Sequence, residues 1–190
     1  CCRIDRNHRS AAAMTTLTAA DVLAARSELA RRSFVDYAQM VDIPTAPITD
    51  GDDEDIFMTM HVNKMAAHHA LLCNALQDVA DGVTDNLMVL MPPGSAKSTY
   101  VDVVFVPWFM SRDQKRKQSV ILASYGSDLA RKQGRRARQL VKSSQHVSLL
   151  GTTLSTESSA ADEWSLSNGS EYMDGGILSG LTGNRADLGI

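Results

Sequence analysis

Residues 86 to 99 read Asn-Leu-Met-Val-Leu-Met-Pro-Pro-Gly-Ser-Ala-Lys-Ser-Thr. Leu87 to Met91 is an unbroken apolar run of the length of a buried strand. Pro92, Pro93 and Gly94 stop the run and force a tight loop. Lys97, Ser98 and Thr99 follow, and then the apolar segment Val101 to Met110, read as a helix. A loop of small residues between strand and helix can wrap its N–H groups around an anion, and the helix N-terminus adds partial positive charge. The bland alternative is a strand-to-helix turn carrying a solvated lysine.

Strand, small-residue loop, Lys-Ser and helix is the layout of a phosphate-binding P-loop. The usual pattern is G-x-x-x-x-G-K-[ST]; here Met91 stands at the first glycine and Ala96 at the second, so only Lys97 and Ser98 match strictly. Pro93, Gly94, Ser95, Ala96 and Thr99 form the expected cradle, with Lys97 reaching the β- and γ-phosphates and Ser98 on Mg²⁺.

The bounds agree with one α/β domain plus extensions. The chain has 190 residues, 44% of them hydrophobic and 22% charged, with a net charge of −3, which is ordinary for a globular protein and does not itself signal nucleic acid. Cys1, Cys2 and Cys73 make no C-x-x-C pair and no disulfide framework, which points to a reducing compartment. No apolar stretch reaches about 18 residues, and the start carries no signal-peptide core.

The organisation expected along the chain is a tail over 1–15, a helical lead-in over 16–85 and a core from 86 to 190. Residues 16–42 read as one helix with Leu23, Ala30, Phe34, Tyr37 and Val41 on a face, ended by Asp42-Ile43-Pro44. Residues 44–55 read as a loop containing the acidic run Asp50 to Asp55. A second helix spans about 61–80 and stops at Asp81-Gly82. His68 and His69 on it have no metal-ligand spacing; the default is a packed histidine, and the functional alternative is an adenine contact by His69. Pro107 is expected to kink or end the helix after the loop. Ser111 to Gln118 is a basic loop, and Ser119 to Ser124 is a second apolar strand that should lie parallel to 87–91 in a right-handed βαβ unit.

A further helix is read over 127–142, with Leu129, Ala130, Ala137, Leu140 and Val141 inward and Arg131, Arg135, Arg138 and Lys142 on the opposite face. Residues 112–142 hold ten of the nineteen lysines and arginines. That face is a solvated surface, a contact for a DNA backbone, or a source of an arginine aimed at a nucleotide on a neighbouring subunit; Arg135 and Arg138 are the candidates. Beyond polar residues 143–170, Asn168-Gly169 between Glu163–Ser167 and Ser170–Met173 reads as a hairpin. Gly175 to Gly183 is a glycine-rich loop, and Leu188-Gly189-Ile190 begins a strand.

Taken together, Ala30–Phe34, Leu87–Thr99, Ile121–Lys132, Ala161–Trp164, Gly169–Met173 and Gly175–Asp187 resemble the N-terminal ATPase region of tailed-phage terminase large subunits, over most of residues 30–190. The resemblance implies a P-loop NTPase fold of the additional-strand type, a parallel sheet flanked by helices. It implies ATP and Mg²⁺ as cofactors and hydrolysis coupled to packaging of double-stranded viral DNA into a procapsid. The implied partners are the portal protein and the small terminase subunit, with a homo-oligomeric ring. The setting would be the cytoplasm of an infected bacterial host, or a prophage. The family's Walker B acids would follow Ile190, as would its nuclease domain; Asp187 precedes that strand and is not their substitute. The expected behaviour of residues 1–190 is therefore weak nucleotide binding without turnover, and poor solubility. Three other readings remain: a different P-loop enzyme, such as a helicase-like DNA-dependent ATPase or a kinase; a non-catalytic DNA-binding unit using the basic helix; and a structural fragment with no activity.

Overall fold

In the computed structural model the described residues are 17–47, 57–159, 162–177, 181 and 183–190. The tail over 1–15, the acidic run Asp50 to Asp55 and part of the glycine-rich loop lie outside them. Thr18 opens helix α1 (Ala19–Arg32) with a capping box: its hydroxyl accepts from the Asp21 N–H, and Asp21 accepts from the Thr18 N–H. The single helix expected over 16–42 is instead broken at Ser33. Its N–H closes α1 on Leu29 O, and its hydroxyl caps α2 (Phe34–Met40) through the Asp36 N–H. One residue with extended backbone thus ends one helix and starts the next. Ala30, Phe34, Tyr37 and Val41 are buried as expected, but Leu23 is exposed.

The loop expected from residue 44 also gives way, because β1 (Asp42–Pro47) pairs antiparallel with β2 (Phe57–His61). Prolines 44 and 47 do not prevent this, since the ribbon has two strands and both are edges. Helix α3 (Ala67–Ala80) starts later than read, because His61 belongs to β2. It stops at Asp81 and Gly82, the glycine taking φ of +72°.

Residues 97–111 form one helical run: a π-helix (Thr99–Phe105) leads into α4 (Val106–Ser111). Pro107 does not end it; the proline falls at the junction where the π-helix gives way to α4. Phe34, Phe105 and Trp108 cluster with ring centroids 5.1–5.9 Å apart, and Trp108 Nε1 donates to Ala30 O at 2.7 Å. Arg112, beyond α4, lies over the Trp108 ring and pairs with Asp81.

Strand β3 (Ser119–Ser124) and helix α5 (Ser127–Lys142) fall where the sequence places them. Helix α6 (Ser144–Leu150), capped by Ser143, occupies part of the polar stretch. Its His146 is buried, with Tyr37 on Nδ1 and Ser111 and Thr152 on Nε2; burial pushes its pKa down to about 3, so the ring is neutral. Strands β4 (Leu154–Ser159), β5 (Glu163–Leu166), β6 (Glu171–Gly176) and β7 (Leu188–Gly189) complete a five-stranded sheet of order β4-β5-β6-β3-β7. The Asn168-Gly169 turn joins β5 to β6 as read, with Gly169 at φ of +82°.

The molecule is α/β, but the sheet is mixed, not parallel throughout: β6, β3 and β7 run parallel, while β4-β5 and β5-β6 are antiparallel. A larger departure concerns residues 87–91. They form no regular element and join no sheet, and Met88 and Leu90 are 83% and 86% exposed. Both edges of β3 are taken, by β6 and β7, so the expected pairing with 87–91 has no edge to use. Val89 and Met91 alone turn toward the core.

Candidate phosphate-binding site

The loop after Met91 folds on itself through Pro92 O, which accepts from the Ser95 N–H at 3.3 Å and the Ser95 hydroxyl at 2.7 Å. Gly94 takes φ of +79° and Ala96 φ of +56°. Among the described residues Ala96 is the one non-glycine with a positive φ. This is the left-handed region, which costs an L-residue of this kind roughly 1–2 kcal/mol, and it stands where the P-loop pattern has its second glycine. The conformation re-aims the chain so that Lys97 and Ser98 open the helical run, and Tyr100 N–H closes on Ala96 O at 3.1 Å.

The backbone N–H groups of Gly94, Ala96, Lys97 and Ser98 donate to no backbone carbonyl among the described residues. Donors in a loop that feeds a helix N-terminus are the groups an anion satisfies. The loop is braced from behind. His69 Nε2 donates to Ser95 O at 2.9 Å, and its ring lies 4.5 Å from that of Tyr100. The carbonyl only accepts, so Nε2 carries the proton.

Lys97, Ser98 and Asp102 face a cavity of about 760 Å³. Its other walls include Leu87, Val89, Val101, Phe105, Leu188 and Ile190. Asp102 is the unforeseen member. Burial pushes its carboxyl up to about 6, against the Ser98 hydroxyl and the charges of Arg136 and Lys97. Arg136 is the second surprise. Its Nε and Nη2 donate to Pro44 O at 3.0 and 2.7 Å, Nη1 to Gln133 Oε1, and Nη2 also to Thr99 Oγ1 at 3.3 Å. It straps β1 to the residue that follows Lys97-Ser98.

The two arginines singled out from sequence lie elsewhere on α5. Arg135, with Arg131, stands beside Asp174 of β6, and Arg138 is half-buried with Nε lacking a hydrogen-bond partner among the described residues. The structure brings together Lys97, Ser98, Thr99, His69 and the cradle residues. Of the missed pair only Asp102 had a signal, following Ser98 by one helical turn; Arg136 flanks the buried stripe of α5 and is half-buried through Pro44 and Thr99, far along the chain.

Ser98 Oγ is a hard oxygen donor on the cavity wall, with the Asp102 carboxylate one helical turn along from it. That suits Mg²⁺, which keeps most of its waters and takes phosphate oxygens as ligands. Among the described residues no group of three or more His, Cys, Asp or Glu could hold a metal unaided. Asp187 caps the start of β3 instead, accepting from the Ser119 N–H at 2.8 Å. No helix among the described residues is long and apolar enough to cross a membrane. Comparison with protein-family profiles, with curated proteins and with solved structures returned no match to this chain.

Proposed function

We propose that the chain carries a P-loop nucleotide site and acts as the ATPase part of a DNA-packaging motor of the tailed-phage terminase type. The observation that carries the nucleotide reading is the loop itself: left-handed Gly94 and Ala96, four N–H groups without backbone acceptors, and Lys97 and Ser98 opening a helix onto a cavity. The motor reading adds the sequence resemblance over residues 30–190. In this account the loop N–H groups and Lys97 hold the β- and γ-phosphates, and Thr99 and Arg136 keep the first helical turn in place. Mg²⁺, when bound, would be held through Ser98 and would supply neutralisation of phosphate charge. Catalysis in such sites is mostly positioning and stabilisation of charge on the transferring phosphoryl. The partners of this reading are double-stranded DNA, a portal and a small subunit, in a ring of copies. The test is ATP turnover by a protein that contains residues 1–190, with and without double-stranded DNA. Stimulation by DNA, lost on Lys97→Ala, supports the reading; turnover indifferent to Lys97 removes it.

A further inference from the structure

From Thr99 the helix behind the loop is a π-helix, whose turns close between residues five apart, and such turns recur at functional sites. Lys97 and Asp102 are five apart and Ser98 and Asp102 four apart, so all three fall on the side that lines the cavity. Asp102 is half-buried on the cavity wall, one helical turn from Ser98, and the Ser98 hydroxyl with the charges of Arg136 and Lys97 favours its ionised form against burial. Tyr172 of β6 is near enough to feel its charge, and Asp85 and Asp187 line the same cavity. A buried carboxylate beside a phosphate-binding lysine opposes an incoming anion unless it does something else for the ligand.

We propose that Asp102 is the positioning residue for the metal side of the phosphate site: it accepts the Ser98 hydroxyl proton and so turns the Ser98 lone pairs toward the cation. This rests on the P-loop reading. A carboxylate can only accept, and a hydroxyl has one proton and two lone pairs. With its proton taken by Asp102, Ser98 can offer only lone pairs to the cavity. The charges of Arg136 and Lys97 favour the ionised carboxylate against its burial. Asp102 thereby acts one shell out from the metal, where loss of an orienting partner typically costs 10- to 100-fold in metal affinity.

The test measures equilibrium ATP binding at up to millimolar nucleotide, in EDTA and in Mg²⁺, for the parent chain, Asp102→Asn, Ser98→Ala and the double variant. Asp102→Asn should bind ATP about threefold more tightly in EDTA, because a negative charge beside Lys97 is gone. The gain in affinity on adding Mg²⁺ should fall at least about tenfold, because the amide can donate into the Ser98 lone pair. In the Ser98→Ala background the same substitution should leave the Mg²⁺ gain unchanged. Asp102→Ser, which removes the charge without adding volume, gives a second reading of the same split. Affinity that falls in parallel in EDTA and Mg²⁺, an unchanged Mg²⁺ gain, or an equal loss without Ser98 overturns the proposal. So does loss of a cooperative melt in both Asp102 variants, which makes the residue a fold-holding group. Lys97→Ala separates the two levels. If ATP binding does not depend on Lys97, the P-loop reading itself fails; if it does and Asp102→Asn shows no split, only this inference fails.

Discussion

Gly134 sits on α5 where that helix meets β6, and it is the position at which one methyl should do most damage. A Cβ there would overlap Asp174 Oδ2 and stand 2.9 Å from Tyr172 Oη and 3.1 Å from its Cε1. Tyr172 is fully buried and stacked on Trp164 at 4.6 Å between centroids, so its ring has nowhere to swing. Asp174 is a short side chain fixed to a strand. Relief therefore requires α5 to lift from the sheet. Overpacking of this kind costs about 1–3 kcal/mol, offset by about 0.5–1 kcal/mol because alanine suits a helix better than glycine. The expected net loss for Gly134→Ala is about 1–2 kcal/mol, or roughly 3–6 °C in Tm at this chain length. Urea and thermal unfolding followed by circular dichroism read it directly. Asp174→Ala removes the overlapped carboxylate, so the double variant should recover at least half of the loss, a coupling that marks direct contact. A Gly134→Ala chain as stable as its parent, or strictly additive costs in the double variant, would refute this account of the α5–β6 seam.

Burial, with the Asp162 charge, pushes the Asp174 carboxyl from 3.8 up to about 7. A raised carboxyl contributes stability that is full below about pH 4 and is lost as the pH rises through about 7. Asp174→Asn should therefore gain on its parent by about 1–2 kcal/mol between pH 5 and pH 8, a figure reduced for partial exposure; urea midpoints with the same gap at both pH values would contradict this. His69→Ala should weaken ATP binding through loss of the brace on Ser95 O and leave the ATP-over-GTP preference unchanged. A changed preference in competition binding would instead assign the ring to the base. The double variant Arg135→Ala, Arg138→Ala should lower DNA stimulation of ATPase more than ATP affinity, and equal stimulation would return that surface to a solvated face.

What the sequence made legible was what local chemistry decides. Ser127–Lys142, the β3 run and the Asn168-Gly169 turn are each dictated by caps, periodicity or a positive φ, and each stands where it was read. What it hid depends on neighbours far along the chain. The break at Ser33 requires knowing that Phe34 N–H meets Gln77 Oε1. Residues 87–91 look like a strand in isolation, and their pairing depends on which edges of β3 remain open. On α5 the misleading residue was Leu129, which is 55% exposed. Counting it inward rotates the face and sends attention to Arg135 and Arg138. The buried stripe of Ala130, Gly134, Ala137 and Val141 instead leaves Arg136 to reach Thr99 and Pro44. The loop itself was readable at Lys97 and Ser98, while Asp102 was passed over because one acid within an apolar helix reads as a surface residue.

The most direct measurement of the central claim is equilibrium binding of ATP with Mg²⁺ to the parent chain and to Lys97→Ala, by calorimetry or a fluorescent nucleotide, with circular dichroism confirming that both are folded. Loss of the ammonium that faces the cavity should weaken binding by at least about tenfold, while the melting temperature changes little, since the lysine makes no ion pair within 4.0 Å among the described residues. Equal affinity in the two folded chains would mean that the loop at 92–98 holds no phosphate, and the nucleotide reading would fall.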